Sequence, residues 1–502
     1  MDVHATFYAA AWALALYWVA WIFYARWLHP LSKFPGPPLA AVSRLWIVLH
    51  VARGRAGTEQ KQLHEKYAGP IIRIAPNELA ISDPRAIKTI YGINTGFTKT
   101  DFYLTFRAPG VRYPDHFTAT DPKSHAVRRR IVNSVYSMTS ILQAEEYVDK
   151  VTDLFLLQLG GVADNKATIN FLHWARMYAY DVIGEFYFGR MFGFLQEMRD
   201  HLGYMESTDT MIPVMAVAGV LPSYLRSAFM LSGLLFSSIR QAMVATMTLV
   251  KAADEAVEDR LQAEKRGEEQ KPDVLTKIFN IYRLQGAKVD LRVEDVKVEA
   301  WVAGSFAGSD TTAITLSGIL FHIVKNREVY DALVEEIDHA TMNDQLSSPH
   351  LAYQEASKLP YLDACIKEGM RFHPIVGLTF PRHAPKEGCE VAGHWIPGHA
   401  RIGVNPAIVH LDTSIFGEDA HSFNPDRWLA PGANNMSQYI MQFGFGSRTC
   451  MGKHMAMVEI YKVIPELLRS FHLELESPED KLDNTSYWFY KPKKVNIKIR
   501  RR

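Results

Sequence analysis

The sequence is poor in cysteine: Cys365, Cys389 and Cys450 are the only three in 502 residues. Three thiols make no disulfide framework for a chain this long, so a reducing compartment is expected for most of it. At least one thiol is unpaired, and an unpaired thiolate can act as nucleophile or metal ligand. Charge of one sign is also missing. Lys plus Arg total 55 and Asp plus Glu 54, a net of +1. That balance removes any composition-level case for a nucleic-acid partner. No internal repeat, low-complexity block or second Pro/Gly-rich linker interrupts residues 40–502. The stretch reads as a single unit, although length alone suggests about three domains. Two common motifs are absent as well. The nearest approach to G-x-S-x-G, from Ala303 to Ala307, has the wrong flanks. Gly444-Phe445-Gly446 is followed by Thr449 where a dinucleotide fingerprint needs glycine. What is present is an ordinary globular composition, 48% hydrophobic and 22% charged.

Residues 5–25 carry no formal charge and include Trp12, Leu14, Trp18, Trp21 and Phe23. A helix of that length spans about 30 Å, the thickness of a bilayer core. Aromatic residues sit toward both ends, as interface anchors do, and Arg26, His29 and Lys33 follow. The positive-inside rule then puts the remainder in the cytosol, behind a short lumenal segment 1–4. A signal peptide would have a shorter apolar core and a small-residue cleavage site; a buried helix is the other reading. Phe34-Pro35-Gly36-Pro37-Pro38 ends any helix, making 26–39 a basic, Pro-rich hinge before a single domain, 40–502.

Within that domain, 71–74 and 79–81 flank Pro76-Asn77 as a hairpin. Helical patterns follow at about 167–190, 240–265 and 292–325. The last would be roughly 50 Å long as one helix and is too apolar for the surface. Pro360 can open a helix that His373-Pro374 closes. Short strands return near Val391, Trp395-Ile396 and 401–404, a helix follows Gly452, and Val495, Ile497 and Ile499 alternate as a strand. The expected fold class is mainly α with minor β.

The strongest local signal is Phe443-Gly444-Phe445-Gly446-Ser447-Arg448-Thr449-Cys450-Met451-Gly452. Its glycines let backbone approach something flat and bulky. A thiolate at a helix N-terminus is stabilised by the dipole. Cys365 falls on the apolar side of its helix, where a thiol is inert, and Cys389 lies in a Gly-Cys-Glu turn. Glu368 and Arg371 share a helix face and can pair. Ala307-Gly308-Ser309-Asp310-Thr311-Thr312 is locally unfavourable in an apolar helix: glycine costs about 1 kcal/mol against alanine, and a Thr hydroxyl can bond back to a carbonyl and loosen the turn. Such a conflict calls for a compensating role; taken alone, the stretch is a satisfied Thr and an exposed Asp.

The stretch 443–452 matches in full the pattern F-G-x-G-x-R-x-C-x-G of the cytochrome P450 superfamily, which the chain resembles in motif order from about Phe34 onward. The resemblance implies a haem held between a long central helix and a cysteine loop. Cys450 would be the axial thiolate, and hence the metal ligand, of haem b; Arg448 would pair with a propionate and Phe443 pack on the thiolate side. Glu368 and Arg371 of the E-x-x-R helix, with Arg427 in Phe423-Asn424-Pro425-Asp426-Arg427-Trp428, would brace the loop. Thr311 would hydrogen-bond dioxygen on the distal face and Asp310 relay protons. His125 and Arg129 match an aromatic–Arg spacing that reaches a propionate, with His125 where many members carry Trp; Arg382 resembles a further propionate contact. Pocket positions by the same analogy are Phe106, Tyr113, Phe306, Ala307, Val376, Thr379 and Tyr487. A weaker likeness, on Tyr91-Gly92 through Lys99-Thr100-Asp101 and the long helix, is to the fungal pisatin-demethylase-like branch, whose members often tailor secondary metabolites.

The implied activity is a monooxygenase that inserts one atom of O2 into an apolar organic substrate, at the endoplasmic-reticulum membrane. Only residues 451–502 follow Cys450, so an appended flavin or nicotinamide domain is not expected, and NADPH electrons are expected from a separate diflavin reductase. Arg128, Lys453 and the basic tail are candidate docking charges, with a merely solvated surface the blander reading of the tail. The rivals are a haem-thiolate ring-expansion, desaturation, isomerisation or dehydration catalyst and a non-catalytic haem or lipid binder.

Overall fold

The computed structural model describes residues 3–502, the side chains of residues 3, 5 and 304–306 excepted. Of the expected lumenal segment 1–4, residues 1 and 2 lie outside the described residues. Helix α1 (Val3–Phe23) is apolar on all sides, and its large residues, such as Phe7, Trp12 and Leu16, stand exposed. A helix apolar all round needs a non-aqueous neighbour; the stretch Thr6–Leu28 is long and apolar enough to cross a membrane. The charge-free run ends at Ala25, but helical winding continues as a π turn, Tyr24–Leu28.

The Pro-rich segment after it is docked on the body. Leu31 and Phe34 are buried. Arg73 donates from Nη1 to the Ala25 carbonyl at 2.7 Å and from its backbone N–H to the Pro35 carbonyl at 2.8 Å. Trp21 donates to the Val42 carbonyl at 2.8 Å. Proline stiffness and these bonds make a bracket out of the expected hinge.

Strands β1 (Ile71–Ala75) and β2 (Glu78–Ile81) form the expected hairpin, with a register shift between Arg73 and Ala75. They belong to a five-stranded sheet with β3 (Thr98–Lys99), β4 (Arg382–His383) and β5 (Arg401–Val404) in the order β1-β2-β5-β4-β3. The β2–β5 pair is parallel, which no local pattern announces. Strands β6 (Asn484–Ser486) and β7 (Tyr490–Pro492) make a C-terminal hairpin.

Helices supply most of the mass. Those around the site are α2 (Pro122–Val132), α3 (Phe171–Phe188), α4 (Tyr204–Val220), α5 (Ser237–Lys265), α6 (Val293–Glu299), α7 (Gly308–Lys325), α8 (Pro360–Phe372) and α9 (Lys453–Ser470). The stretch expected as one long helix, 292–325, is α6, a π-helical segment Ala300–Ala307 and α7 in succession. The Thr311 hydroxyl donates to the Ala307 carbonyl at 2.7 Å, so a side chain occupies a carbonyl at the junction and the wider winding ends there. Gly308 lets α7 press on α3: a Cβ there would lie 2.7 Å from Ile183 Cδ1. Most of α7 is buried, as its apolar sequence requires.

Candidate active site around Cys450

The cysteine loop is closed by its own backbone. The Cys450 N–H donates to the Phe443 carbonyl at 2.8 Å, and Gly444 N–H to Met441 O at 3.0 Å. Gly446 sits at φ +61°, and a Cβ there would fall 2.0 Å from the Tyr91 carbonyl oxygen. Only glycine fits. Cys450 is an exposed residue, although atoms of the fold crowd closely around its thiol. Burial pushes its thiol pKa up, while the backbone of Gly452 and the charge of Arg129 act in the opposite sense. The Lys453 ammonium stands 5.8 Å from the Phe443 ring centre. Cys365 is buried and Cys389 half-buried.

The loop is braced from α8. Glu368 and Arg371 have no exposed surface. Arg371 donates from Nη2 to Glu368 Oε1 at 2.7 Å and from Nε to Oε2 at 2.8 Å. It also donates to the carbonyls of His410, Ala420 and Ser422. Arg427 Nε reaches Glu368 Oε1 at 3.1 Å, and the Trp428 indole donates to Oε2 at 2.8 Å. A buried carboxylate and two guanidiniums with every valence engaged form a rigid unit. His410, which the sequence reading missed, carries the unit forward. It pairs with the Arg371 carbonyl through Nδ1 at 3.1 Å and accepts the Met441 N–H at Nε2 at 2.8 Å. Burial, then Arg371, lower its pKa to about 3, so it bridges as a neutral ring.

Cations without anions gather beside the loop. Arg448 donates to the Ala119 carbonyl, Arg129 to Ser447 O, and Arg382 to the Tyr103 hydroxyl at 2.7 Å. Lys99 on β3, also missed by the sequence reading, is buried and donates only to the Phe117 carbonyl at 2.6 Å, with its ammonium over the Tyr103 ring. Among the described residues none of these four has a carboxylate within ion-pair distance. Burial, then Arg382 and Arg448, lower the Lys99 pKa well below its ordinary value. Burial and Arg382 lower that of Arg448 to about 10. His125, on α2, is buried with no partner for Nε2, and burial with Arg448 and Lys99 lowers its pKa to about 3. Like charges held together at low dielectric are costly unless an anion arrives. A doubly anionic group close to Cys450 satisfies them, and planar guanidiniums suit carboxylates. The residues therefore fit a haem with its two propionates.

Helix α7, joined to the loop by the Gln442–Thr315 hydrogen bond, carries the remaining expected residues. Asp310 is buried, not exposed. Arg176 of α3 donates from Nε to Asp310 Oδ1 at 2.6 Å, and Thr208 of α4 donates to Oδ2 at 2.8 Å. Arg176 also binds Asp209, which Lys491 of β7 holds from outside. Burial alone would raise the Asp310 pKa, but Arg176 and Lys491 bring it below the ordinary carboxylate value. Thr311 is half-buried. Successive helix residues diverge by about 100°, so Asp310 points into the α3–α4 contact and Thr311 elsewhere. The structure does not join the two side chains directly.

The pocket residues inferred from the sequence are dispersed. Phe106 packs in an aromatic cluster with Phe102, Phe117 and Trp488, ring centres 5.7–6.4 Å away. Val376 and Thr379 are buried in the loop after α8, where Val376 bridges to Phe489. Ala307 is half-buried at the π junction. The side chain of Phe306 lies outside the described residues. Tyr113 is turned outward: its hydroxyl donates to Asp290 at 2.6 Å and its ring is stacked by Arg112 and Arg128. Tyr487 covers Gly54 on the N-terminal side. Arg128, a candidate docking charge, donates to the Asp290 carbonyl and lies 3.4 Å from its carboxylate. Lys491, Lys493, Arg500, Arg501 and Arg502 each have an acidic partner.

Comparison with known proteins bears on this arrangement. Residues 35–499 match the family model described as Cytochrome P450. The chain is 38% identical over 486 residues to the cytochrome P450 monooxygenase gsfF of Penicillium aethiopicum, covering 96% of each. It is 32% identical over 488 residues to the cytochrome P450 monooxygenase cicH of Emericella nidulans, again 96% of each. It is 32% identical over 493 residues to a pisatin demethylase of Fusarium vanettenii, covering 97% of this chain and 92% of that protein.

Proposed function

The chain belongs to the cytochrome P450 family of monooxygenases, and on that footing we propose that it inserts one atom of O2 into an apolar organic molecule. Haem b, once bound, supplies dioxygen activation, which a thiolate ligand favours by pushing electron density to the iron. The observation that carries the proposal is the cation cluster without carboxylate partners beside the exposed Cys450 in its glycine-rich loop. Cys450 is the ligand. His125, Arg129, Arg382, Arg448 and Lys99 hold the two carboxylates. Phe443 covers the thiolate side and the Glu368–Arg371–Arg427 unit keeps the loop in place.

On the other side, Thr311 keeps its proton on Oγ1, lent to the Ala307 carbonyl, and a turn of the side chain would redirect it. Asp310 is ionised and must exchange an Arg176 bond for water before it can pass a proton inward. The aromatic cluster Phe102, Phe106, Phe117 and Trp488, with Val376, suits an apolar substrate. Relatives from fungi, one of them named a pisatin demethylase, support a small apolar secondary metabolite as the substrate class. Residues 5–25 would anchor the catalytic domain, 40–502, at the cytosolic face of the endoplasmic reticulum. NADPH electrons would arrive through a separate diflavin reductase.

The test is the reduced, carbon-monoxide difference spectrum of membranes carrying the wild type or Cys450→Ala. A red-shifted Soret band in the wild type, lost in the variant, is the expected result. A well-expressed wild type with no such band after haem supplementation would overturn the proposal. Incorporation of one labelled atom from 18O2 into product then tests oxygen insertion itself.

A further inference from the structure

Gln442 immediately precedes Phe443 and is 4% exposed. Both ends of its amide are used. Oε1 accepts the Ile375 backbone N–H at 3.0 Å, and Nε2 donates to Thr315 Oγ1 at 2.9 Å. Thr315, itself buried, donates from Oγ1 to the Thr311 carbonyl at 2.8 Å. The Thr311 hydroxyl donates one turn back, to Ala307. On the other side, the Ile375 carbonyl accepts the Tyr490 N–H at 2.8 Å, and Gly377 N–H donates to the Trp488 carbonyl at 3.1 Å.

One side chain thus meets three elements: the cysteine loop, the turn of α7 that carries Thr311, and the loop holding Val376 and Thr379. Its chemistry is tightly specified. The Ile375 N–H needs an acceptor. The Thr315 hydroxyl has spent its proton on the Thr311 carbonyl and needs a donor. Leucine would supply neither, and glutamate would supply both only by taking up a proton. A buried amide is costly unless both ends are satisfied, so packing alone does not explain a glutamine here.

We propose that Gln442 is a positioning residue that fixes the spacing between the Cys450 loop and the Thr311 turn, and sets the 375–379 loop against both. The proposal rests on reading Cys450 and Thr311 as opposite walls of the haem pocket. With Gln442 in place, the thiolate wall, the oxygen wall and the substrate wall shift together or not at all.

The test uses full-length, haem-loaded protein in detergent and the variants Gln442→Leu, Thr315→Val, Thr315→Ser and the double variant Gln442→Leu/Thr315→Val. Two quantities are read on the reduced carbonyl complex: the infrared C–O stretch and the rate at which the red-shifted Soret band decays to its unshifted form. Gln442→Leu and Thr315→Val should each move the C–O stretch and speed decay by about tenfold, the scale of one buried bond left half-made. The double variant should be no worse than the worse single one, because both cut one link. Thr315→Ser, which keeps the hydroxyl, should behave as wild type. Should Gln442→Leu fail to fold, the pair Thr315→Val and Thr315→Ser, which leave Gln442 in place, carries the test. An unmoved C–O stretch in both single variants, or additive effects in the double one, would reduce Gln442 to a local strut and overturn the proposal. Absence of a red-shifted band in the wild type would instead sink the haem-thiolate reading beneath it.

Discussion

Arg176 and Asp310 form a buried ion pair, Nε to Oδ1 at 2.6 Å, that ties α3 to α7 one residue before Thr311. The guanidinium keeps the Asp310 carboxyl below its ordinary pKa against the pull of burial. A carboxyl lowered on folding adds stability above its unfolded pKa, about 3.9, and loses it as pH falls through the lower folded value. Arg176→Met strands the carboxylate. The expected loss is roughly 3–5 kcal/mol at pH 7, narrowing as pH falls toward 4 because the stranded acid then takes up a proton. Unfolding followed across that range checks the slope; a deficit independent of pH would mean lost packing.

Arg371→Lys should behave as a severe lesion despite keeping the charge. Arginine there serves Glu368 and three carbonyls at once, and an ammonium cannot present that fork. The expected outcome is protein without bound haem, read as the ratio of Soret to protein absorbance. Normal haem content would show that the bracing unit is dispensable.

Lys99→Met should move two states in opposite directions. Without haem, it removes a buried charge from among Arg382 and Arg448, so apoprotein stability should hold or rise. With haem, it removes a donor to a carboxylate, so transfer of haem to an excess of acceptor protein should quicken by about tenfold. Equal destabilisation of both states would place Lys99 outside the cradle.

Deleting residues 3–23 should release part of the protein from alkaline-washed membranes. Release should be incomplete, because Leu231, Leu234, Leu235 and Phe236 remain as an exposed apolar turn before α5. Sedimentation at low and high salt checks this. Retention that vanishes in high salt would show that charge, not apolar contact, does the holding.

The parts legible in the sequence are those whose cause is local. Three glycines around Cys450, the Pro360 helix start and the Pro76-Asn77 turn are each explained by residues a few positions apart. The Glu368–Arg371 pair follows from helix periodicity. What escaped depends on distant partners. Nothing near Lys99 says that Arg382 and Arg448 converge on it, and nothing near Asp310 names Arg176, 134 residues away. Analogy puts Tyr113 in the pocket, but a phenol prefers an acid and two guanidiniums to an apolar wall, and Asp290, Arg112 and Arg128 provide them. The composition of 292–325 allows one regular helix; the winding changes where the Thr311 hydroxyl takes the Ala307 carbonyl.

The π-helical segment Ala300–Ala307 takes up slack in the chain. A π turn accommodates an extra residue by rotating less per residue than the roughly 100° of an α-helix, so the helical faces on either side keep their phase. Glu299, before the segment, meets His116 at 2.7 Å, while Asp310, after it, meets Arg176. Deleting a single residue within 300–307 would let the winding relax to a regular α-helix and leave both contacts facing as they do. Deleting one beyond Gly308, where the winding is already α, would turn everything downstream by about 100°. Length is therefore forgiven inside the π segment and read as angle outside it.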